Sequence, residues 1–145
     1  MGKILCATRG GEASVKTQEA AIKRALETGD ELVFFYAVDL EFLADADYAL
    51  RSDVMEEEMG NMGEFLMLMA VERAEKQGVK AASVIRSEAF PEAIMAAAQE
   101  EQATLVVVGR PLDDSDPEAL ARLKELVKTL EAQAGVPFVI LPERG

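Results

Sequence analysis

The chain contains no histidine and no tryptophan, and its only cysteine is Cys6. Without histidine it lacks the commonest metal ligand and the commonest general base, so it cannot build a Ser-His-Asp triad or a Cys-His pair. A single cysteine also excludes an internal disulfide. Because Cys6 lies in the apolar run 4–7, we expect a buried thiol rather than a reactive one. The sequence predicts no catalytic residue and no metal site.

Positive charge is scarce as well. The chain has 15 Lys and Arg against 27 Asp and Glu, which gives a net charge of −12. The electrostatic field of this negative charge repels a nucleic-acid backbone or an anionic membrane unless the protein has a dense basic patch. The basic residues of this chain are scattered and predict no such patch. No stretch of about 18 apolar residues is present, and the apolar run near the N-terminus is too short for a signal peptide. We therefore expect a soluble, cytoplasmic protein that binds neither nucleic acid nor membrane.

The sequence does contain regularly alternating strand and helix patterns. Its 145 residues, half of them apolar, suit one domain spanning 1–145. Short β-branched or aromatic runs predict strands at 3–8, 31–38, 81–87, 104–109 and 137–141. Helical spacing predicts helices at 13–28, 53–77, 91–101 and 117–134. This alternation predicts an α/β fold with a doubly wound parallel sheet, and glycines at 29, 78 and 135 end three of the helices.

In a doubly wound sheet, ligands bind in the crevice at the carboxyl ends of the strands. The loops that follow strands one, two and four read ATRGGEAS, AVDLEF and VVVGRPLDDSD. The candidate binding residues in and beside these loops are Ala7, Thr8, Arg9, Gly10, Val38, Asp39, Gly109 and Arg110.

Five segments carry a resemblance to a known family: KILCAT with the following GEAS, ELVFFYAVD, FPEAIMAAAQEEQATLVVVGR and AGVPFVILP. In this order and spacing they resemble the universal stress protein family almost from end to end. The resemblance implies a Rossmann-like, adenine nucleotide alpha hydrolase-like fold, with five parallel strands in the order 3-2-1-4-5 and four helices on both faces. It also implies a homodimer in which the last strands of two subunits pair, here through Val136, Phe138, Val139 and Ile140.

The ATP-binding members of that family carry an Asp at the end of strand one and a Gly-x2-Gly-x9-Gly-Ser/Thr loop after strand four. In this chain Arg9 takes the place of the Asp. Gly109 matches the first glycine, but the second falls on Leu112, and the third glycine with its hydroxyl neighbour falls on Arg122 and Leu123. Glycines let backbone N–H groups close around a phosphate, so their absence predicts that no ATP and no other cofactor is bound.

Three interpretations of the remaining cleft stay open. Arg9 and Arg110 could be solvated or paired with nearby aspartates at little energetic gain. They could instead hold a different anion or nucleotide together with the N–H groups of Gly10 and Gly11, or ATP could bind in an unrecognised geometry. The leading hypothesis is a non-catalytic adaptor that acts through protein contacts in a stress response. The alternatives are a nucleotide or small-anion sensor, extending to a slow ATPase, and a related nucleotidyl transferase.

The second predicted helix is rich in methionine. Its apolar stripe repeats at intervals of four and three residues and is widened by two further side chains: Met55, Met59, Met62, Leu66 and Met69, with Phe65 and Leu68. A helix that covers a doubly wound sheet needs an apolar face, so we expect this stripe to pack in the core. The alternative is an adaptable groove for a protein partner, a use to which methionine-rich surfaces are suited. Gly60 and Gly63 would mark a bend or a close helix contact.

Overall fold

A computed structural model of the protein describes residues 2–8, 12–37, 52–109 and 117–141. The strands are β1 (Lys3–Thr8), β2 (Glu31–Ala37), β3 (Ala81–Arg86), β4 (Leu105–Gly109) and β5 (Phe138–Leu141). The helices are α1 (Glu12–Thr28), α2 (Ser52–Lys76), α3 (Phe90–Glu100) and α4 (Pro117–Ala134). Every described bound lies within one residue of its predicted position, so the predicted alternation of strands and helices is confirmed.

The five strands form one parallel sheet in the order β3-β2-β1-β4-β5. This confirms the predicted order, with β1 at the centre and β3 and β5 at the edges. β5 is one residue shorter than predicted, and Val136 precedes it. The central strands carry almost uninterrupted apolar residues because they are covered on both faces.

Each face of the sheet has its own hydrophobic cluster. Ile4 and Cys6 of β1 belong to the cluster that includes residues of α1 and α2. Leu5 and Ala7 of the same strand belong to the opposite cluster, with residues of α3 and α4. Since successive side chains of a strand point to opposite faces, an unbroken apolar run in β1 supplies both clusters.

The helix ends follow the predicted glycine pattern. Gly29, Gly78 and Gly135 have φ angles of 77°, 91° and 68°, in the left-handed region where a side chain is strained. They lie just after α1, α2 and α4.

Among the described helices, none is long and apolar enough to cross a membrane.

The prediction that the methionine stripe packs in the core is wrong for Met62 and Met69 and for the flanking Phe65 and Leu68, whereas Leu66 is half-buried against the core as predicted. Helix α2 turns Gly63, Met67, Ala70 and Ala74 to the sheet. The exposed fractions of the predicted core residues are 59% for Met62, 63% for Phe65, 66% for Leu68 and 43% for Met69. The side chains of Met55 and Met59 lie outside the described residues.

A close contact with β2 explains which face is buried. A Cβ atom added at Gly63 would lie 2.7 Å and 2.9 Å from two ring carbons of Tyr36. Tyr36 is itself buried, so the helix reaches the sheet here only because Gly63 has no side chain. The close approach predicted for this glycine is therefore made by a strand side chain. The mostly small residues that follow at the helical interval complete the buried face.

The contact between Gly63 and Tyr36 can be tested with two matched substitutions in one helix. Gly63→Ala should destabilise the protein, because an overpacking penalty of about 1–3 kcal/mol outweighs the better helix propensity of alanine. Gly60→Ala should instead stabilise it by about 0.5–1 kcal/mol, since an added Cβ there meets nothing within 4 Å. Urea unfolding of both variants measures the difference. Equal effects at the two positions would contradict the close contact.

Candidate functional site

The carboxyl ends of β1, β2 and β4 lie side by side at one edge of the sheet. Thr8 pairs with Tyr36 of β2, and Ala7 pairs with Val108 of β4. The strand order reverses at β1, since β2 follows it on one side and β4 lies on the other. The crevice at this edge is thus the place where a doubly wound fold binds ligands.

Three of the eight predicted binding residues are described. Ala7 is 4% exposed and belongs to a core cluster, so its side chain packs rather than binds. Thr8 and Gly109 are the last residues of β1 and β4. The other five lie outside the described residues: Arg9, Gly10, Val38, Asp39 and Arg110.

Gly109 has a packing role in addition to its match with the family motif. A Cβ atom added there would lie 2.9 Å from Oγ1 of Thr17 in α1. Thr17 is 1% exposed, and its hydroxyl donates to the Leu141 carbonyl at 3.1 Å. Helix α1 therefore approaches the carboxyl ends of β4 and β5 closely, and the missing side chain of Gly109 leaves room for Thr17.

Thr17 and its neighbour Gln18 were not predicted from the sequence. Both are buried polar residues of α1, and they fall at the helical interval from the buried Ala21 and Ile22. That position among apolar residues was the available signal. The Gln18 amide oxygen accepts a 2.6 Å hydrogen bond from Arg73 of α2, which links the two helices on one face of the sheet. This pair stabilises the scaffold beneath the crevice.

The positions of the phosphate-binding motif can be followed into α4. The helix begins at Pro117, so Arg122 and Leu123, where the third glycine and its hydroxyl neighbour would fall, both lie inside it. Leu123 is 7% exposed and packs in the cluster with Phe35 and Ile94. Backbone N–H groups beyond the first turn of a helix are already bonded to its own carbonyls. Neither position offers a free backbone N–H group to a phosphate.

Arg86, the last residue of β3, forms ion pairs with two carboxylates. Nε of Arg86 lies 2.6 Å from Glu88, and an Nη atom lies 2.8 Å from Glu100. The hydrogen bond that Arg86 donates to Glu88, with a further one to Glu100, holds the pKa of Arg86 above its usual range. Arg86 therefore links the edge strand to α3.

Within the described ranges, no cluster of His, Cys, Asp and Glu could hold a metal ion.

Cys6 is fully buried, as predicted. Burial raises the pKa of its thiol to about 12, and the thiolate is the form that reacts with electrophiles and metals. The thiol is accordingly a core side chain.

The raised pKa of Cys6 predicts how stability depends on alkaline pH. Above the ordinary thiol pKa the unfolded chain loses this proton while the folded protein keeps it, so the free energy of unfolding falls as pH rises. The slope from this group approaches about 1.4 kcal/mol per pH unit. Urea unfolding between pH 8 and 10 should show this decline in the free energy of unfolding. In Cys6→Ala the slope against pH should be smaller by the contribution of this one ionising group. An identical slope in both proteins would contradict the assignment.

The sequence matches a known family. Residues 1–112 match the model of the universal stress protein family, and this chain belongs to that family. The match covers β1 to β4 and ends shortly before α4. No curated protein matches the chain.

Solved structures of the same family share the fold over almost the whole chain. A universal stress protein from Burkholderia pseudomallei is 22% identical with a TM-score of 0.75, over 98% of this chain and 96% of that one. A universal stress protein in complex with cAMP is 17% identical with a TM-score of 0.71, over 99% and 98%. One from Archaeoglobus fulgidus in complex with dAMP is 14% identical with a TM-score of 0.58, over 97% and 96%. At these identities the likeness concerns the fold.

Proposed function

We propose that this universal stress protein is a non-catalytic adaptor that acts through protein contacts and does not bind ATP. The observation that carries the proposal is the position of α4. This helix starts at Pro117, so residues equivalent to the phosphate-binding end of the family motif are helical, and one of them, Leu123, is part of the core. Restoring the motif would require unwinding the helix and exposing an apolar side chain.

Charge supports the same proposal. The segment between β4 and α4 includes Asp113, Asp114 and Asp116, and the whole chain has a net charge of −12. Carboxylates beside a triphosphate repel it and weaken its binding unless a metal ion neutralises them. The acidic segment after β4 would therefore repel the phosphates of ATP. In the ATP-binding members of the family, the corresponding segment binds those phosphates.

A second candidate function, a sensor of a nucleotide with one phosphate, is favoured by the relatives solved with cAMP and dAMP. Each of those ligands carries one phosphate and so needs fewer donors than a triphosphate. Arg9, Gly10 and Gly11 directly precede α1 in the sequence, and the N-terminus of a helix favours an anion. Arg110 directly follows Gly109, the last residue of β4, in the sequence. These residues would supply the contacts.

Calorimetric titration with ATP and magnesium, and separately with AMP, cAMP and dAMP, distinguishes the two functions. For the adaptor we expect no binding of ATP tighter than a Kd of about 1 mM, and no change after Arg9→Ala with Arg110→Ala. For the sensor, the same double variant should lose at least about 30-fold in affinity for a monophosphate. Lys124→Ala with Lys128→Ala, in the exposed face of α4, is the control of equal charge. Micromolar ATP binding would refute the adaptor proposal.

The proposal includes a homodimer through β5. Within the part of the chain that the structure describes, this strand is an edge of the sheet and pairs with β4 alone. A second subunit could continue the sheet there. Val106 donates to the Pro137 carbonyl at 3.0 Å, so residues 137 and 139 face β4 while 138 and 140 face outward. Glu131 already accepts the outward N–H of Phe138 at 2.7 Å. Ile140 is therefore the residue whose N–H would pair across subunits.

Ile140→Pro tests the strand pairing without removing a bond to β4. It deletes the outward N–H, so the dimer should weaken about tenfold or more, since two such bonds are lost across a two-fold axis. Light scattering coupled to size exclusion measures the mass, and circular dichroism verifies the fold. Val139→Pro is the contrasting variant, because it breaks the ladder to β4 and should destabilise the subunit itself. A dimer of unchanged affinity in Ile140→Pro would exclude pairing through β5.

A further inference from the structure

Helices α1 and α2 lie side by side on one face of the sheet, where both contribute to the same hydrophobic cluster. The 2.6 Å hydrogen bond from Arg73 to Gln18 marks the side of α2 that faces α1. Met69, Leu66 and Met62 precede Arg73 by one, two and three helical turns, so they share that side. We define the α1–α2 groove by these four residues of α2 together with Gln18 and Leu26, which lie on one i±4 ridge of α1.

Two hydrogen-bond donors in the α1–α2 groove lack an acceptor among the described residues. Gln18 is 4% exposed, and its amide oxygen accepts from Arg73 while its amide nitrogen has no described partner. The half-buried guanidinium of Arg73 meets that neutral oxygen and forms no ion pair with a described carboxylate. A buried donor without an acceptor and a half-buried cation without a counter-charge are both costly. Together they point to a bound anionic oxygen.

The other charged groups of this region lie at the rim of the groove. Glu19 and Lys23 of α1 and Glu75 of α2 are exposed, and Glu72 is paired with Lys76 at 3.3 Å. The net charge of −12 disfavours a strongly acidic ligand. The ligand that fits therefore carries one carboxylate for Arg73 and Gln18 and is otherwise neutral or basic.

The walls of the α1–α2 groove are apolar. Five large apolar side chains are exposed among the described residues, and three of them line the groove: Leu26 at 49%, Met62 at 59% and Met69 at 43%. Leu66 packs against the core between them. Of the other two, Phe65 extends the α2 wall towards solvent, whereas Leu68 lies farther round the helix and does not belong to the groove. A contiguous apolar surface of this kind marks an interaction site.

The groove opens at one end into a cavity of about 290 Å³. The cavity lies between the last turns of α1 and α2 and is lined by residues 25–26, 29–31 and 78–80. Its acidic groups already have partners, since Glu31 is paired with Lys80 and Asp30 accepts from the N–H of Gly2. Leu26 and Val79 supply apolar surface, so the cavity suits an apolar side chain of a bound partner.

We propose that the α1–α2 groove is a docking site for an amphipathic helix of a partner protein, with one carboxylate of that helix bound by Arg73 and Gln18. The stretch from residue 62 to residue 73 is about 16 Å long, which accommodates three turns of a helix. Recognition would follow the helix-in-groove mode, with apolar side chains between the two walls. The inference rests on the proposed function, since it names the contact through which the adaptor acts.

Selection of a ligand is the first test. A phage-displayed library of helical peptides of about 15 residues, with one face randomised, is bound to the full-length native protein. We expect the selected peptides to share one Asp or Glu among apolar residues, with Lys or Arg at the flanks. Peptides without a shared carboxylate would overturn the proposal, and so would a selection that enriches no peptide.

Substitutions in the groove test the two kinds of contact with a selected peptide. Arg73→Gln should weaken binding at least about tenfold, whereas Arg122→Gln, at an exposed arginine of α4, should leave it unchanged. Met69→Ser should also weaken binding about tenfold, and Leu68→Ser is its matched control outside the groove. Fluorescence anisotropy measures affinity, and circular dichroism verifies the fold. Equal affinities in Arg73→Gln and Arg122→Gln would contradict the carboxylate contact.

Nuclear magnetic resonance tests the contact directly. The side-chain amide signals of Gln18 and the Nε–H signal of Arg73 should shift when the native protein binds a selected peptide. A peptide with its carboxylate replaced by an amide should bind at least about tenfold more weakly. Unmoved signals, or equal affinity for the two peptides, would overturn the proposal.

Mass and stability distinguish the other occupants of the groove. A lower mass of Arg73→Gln than of the native protein in light scattering would place a second copy there. A loss of stability in Met69→Ser but not in Leu68→Ser would mean that the chain's own segments fill the groove. Either result overturns the inference. Micromolar ATP binding would refute the adaptor without bearing on peptide binding, whereas absent peptide binding would refute only the groove.

Discussion

Burial of the central strands on both faces is the constraint on which the rest of this structure depends. β1 contributes Ile4 and Cys6 to one cluster and Leu5 and Ala7 to the other. Because every side chain in the middle of the sheet is taken up by packing, polar chemistry is confined to the strand ends, the loops and the outer faces of the helices. The same burial makes Cys6 a core thiol, with a pKa of about 12, although it is the most nucleophilic group in the sequence.

Two positions that correspond to the ATP-binding motif of the family pack against other parts of the fold. Gly109 retains the first glycine of the family motif, and the space it leaves admits Thr17 of α1. Leu123, where a phosphate-binding hydroxyl would fall, contributes to the core through α4. Both positions therefore serve packing in this fold.

Sequence patterns predicted the elements to within one residue, because alternating apolar runs and helical intervals report burial directly. The strand order followed from the family resemblance, and the structure confirms it. The candidate site was less predictable. Its loops could be located from the fold, but the buried hydroxyl of Thr17 was overlooked, since a polar residue in a helical stripe does not reveal which main-chain group it will meet. The arginines at Arg9 and Arg110 remain a prediction.

By itself the sequence determined the class of fold, the absence of histidine chemistry and the departure from the ATP-binding motif, because composition and local periodicity are properties of the chain alone. Only the tertiary structure decided which side of α2 is buried. Local apolar spacing favoured Met62 and Met69, yet both are exposed, because the helix approaches Tyr36 through Gly63. The distance between a helix and a sheet is set jointly by residues far apart in sequence, here Gly63 and Tyr36. It therefore cannot be predicted from any short segment of the sequence.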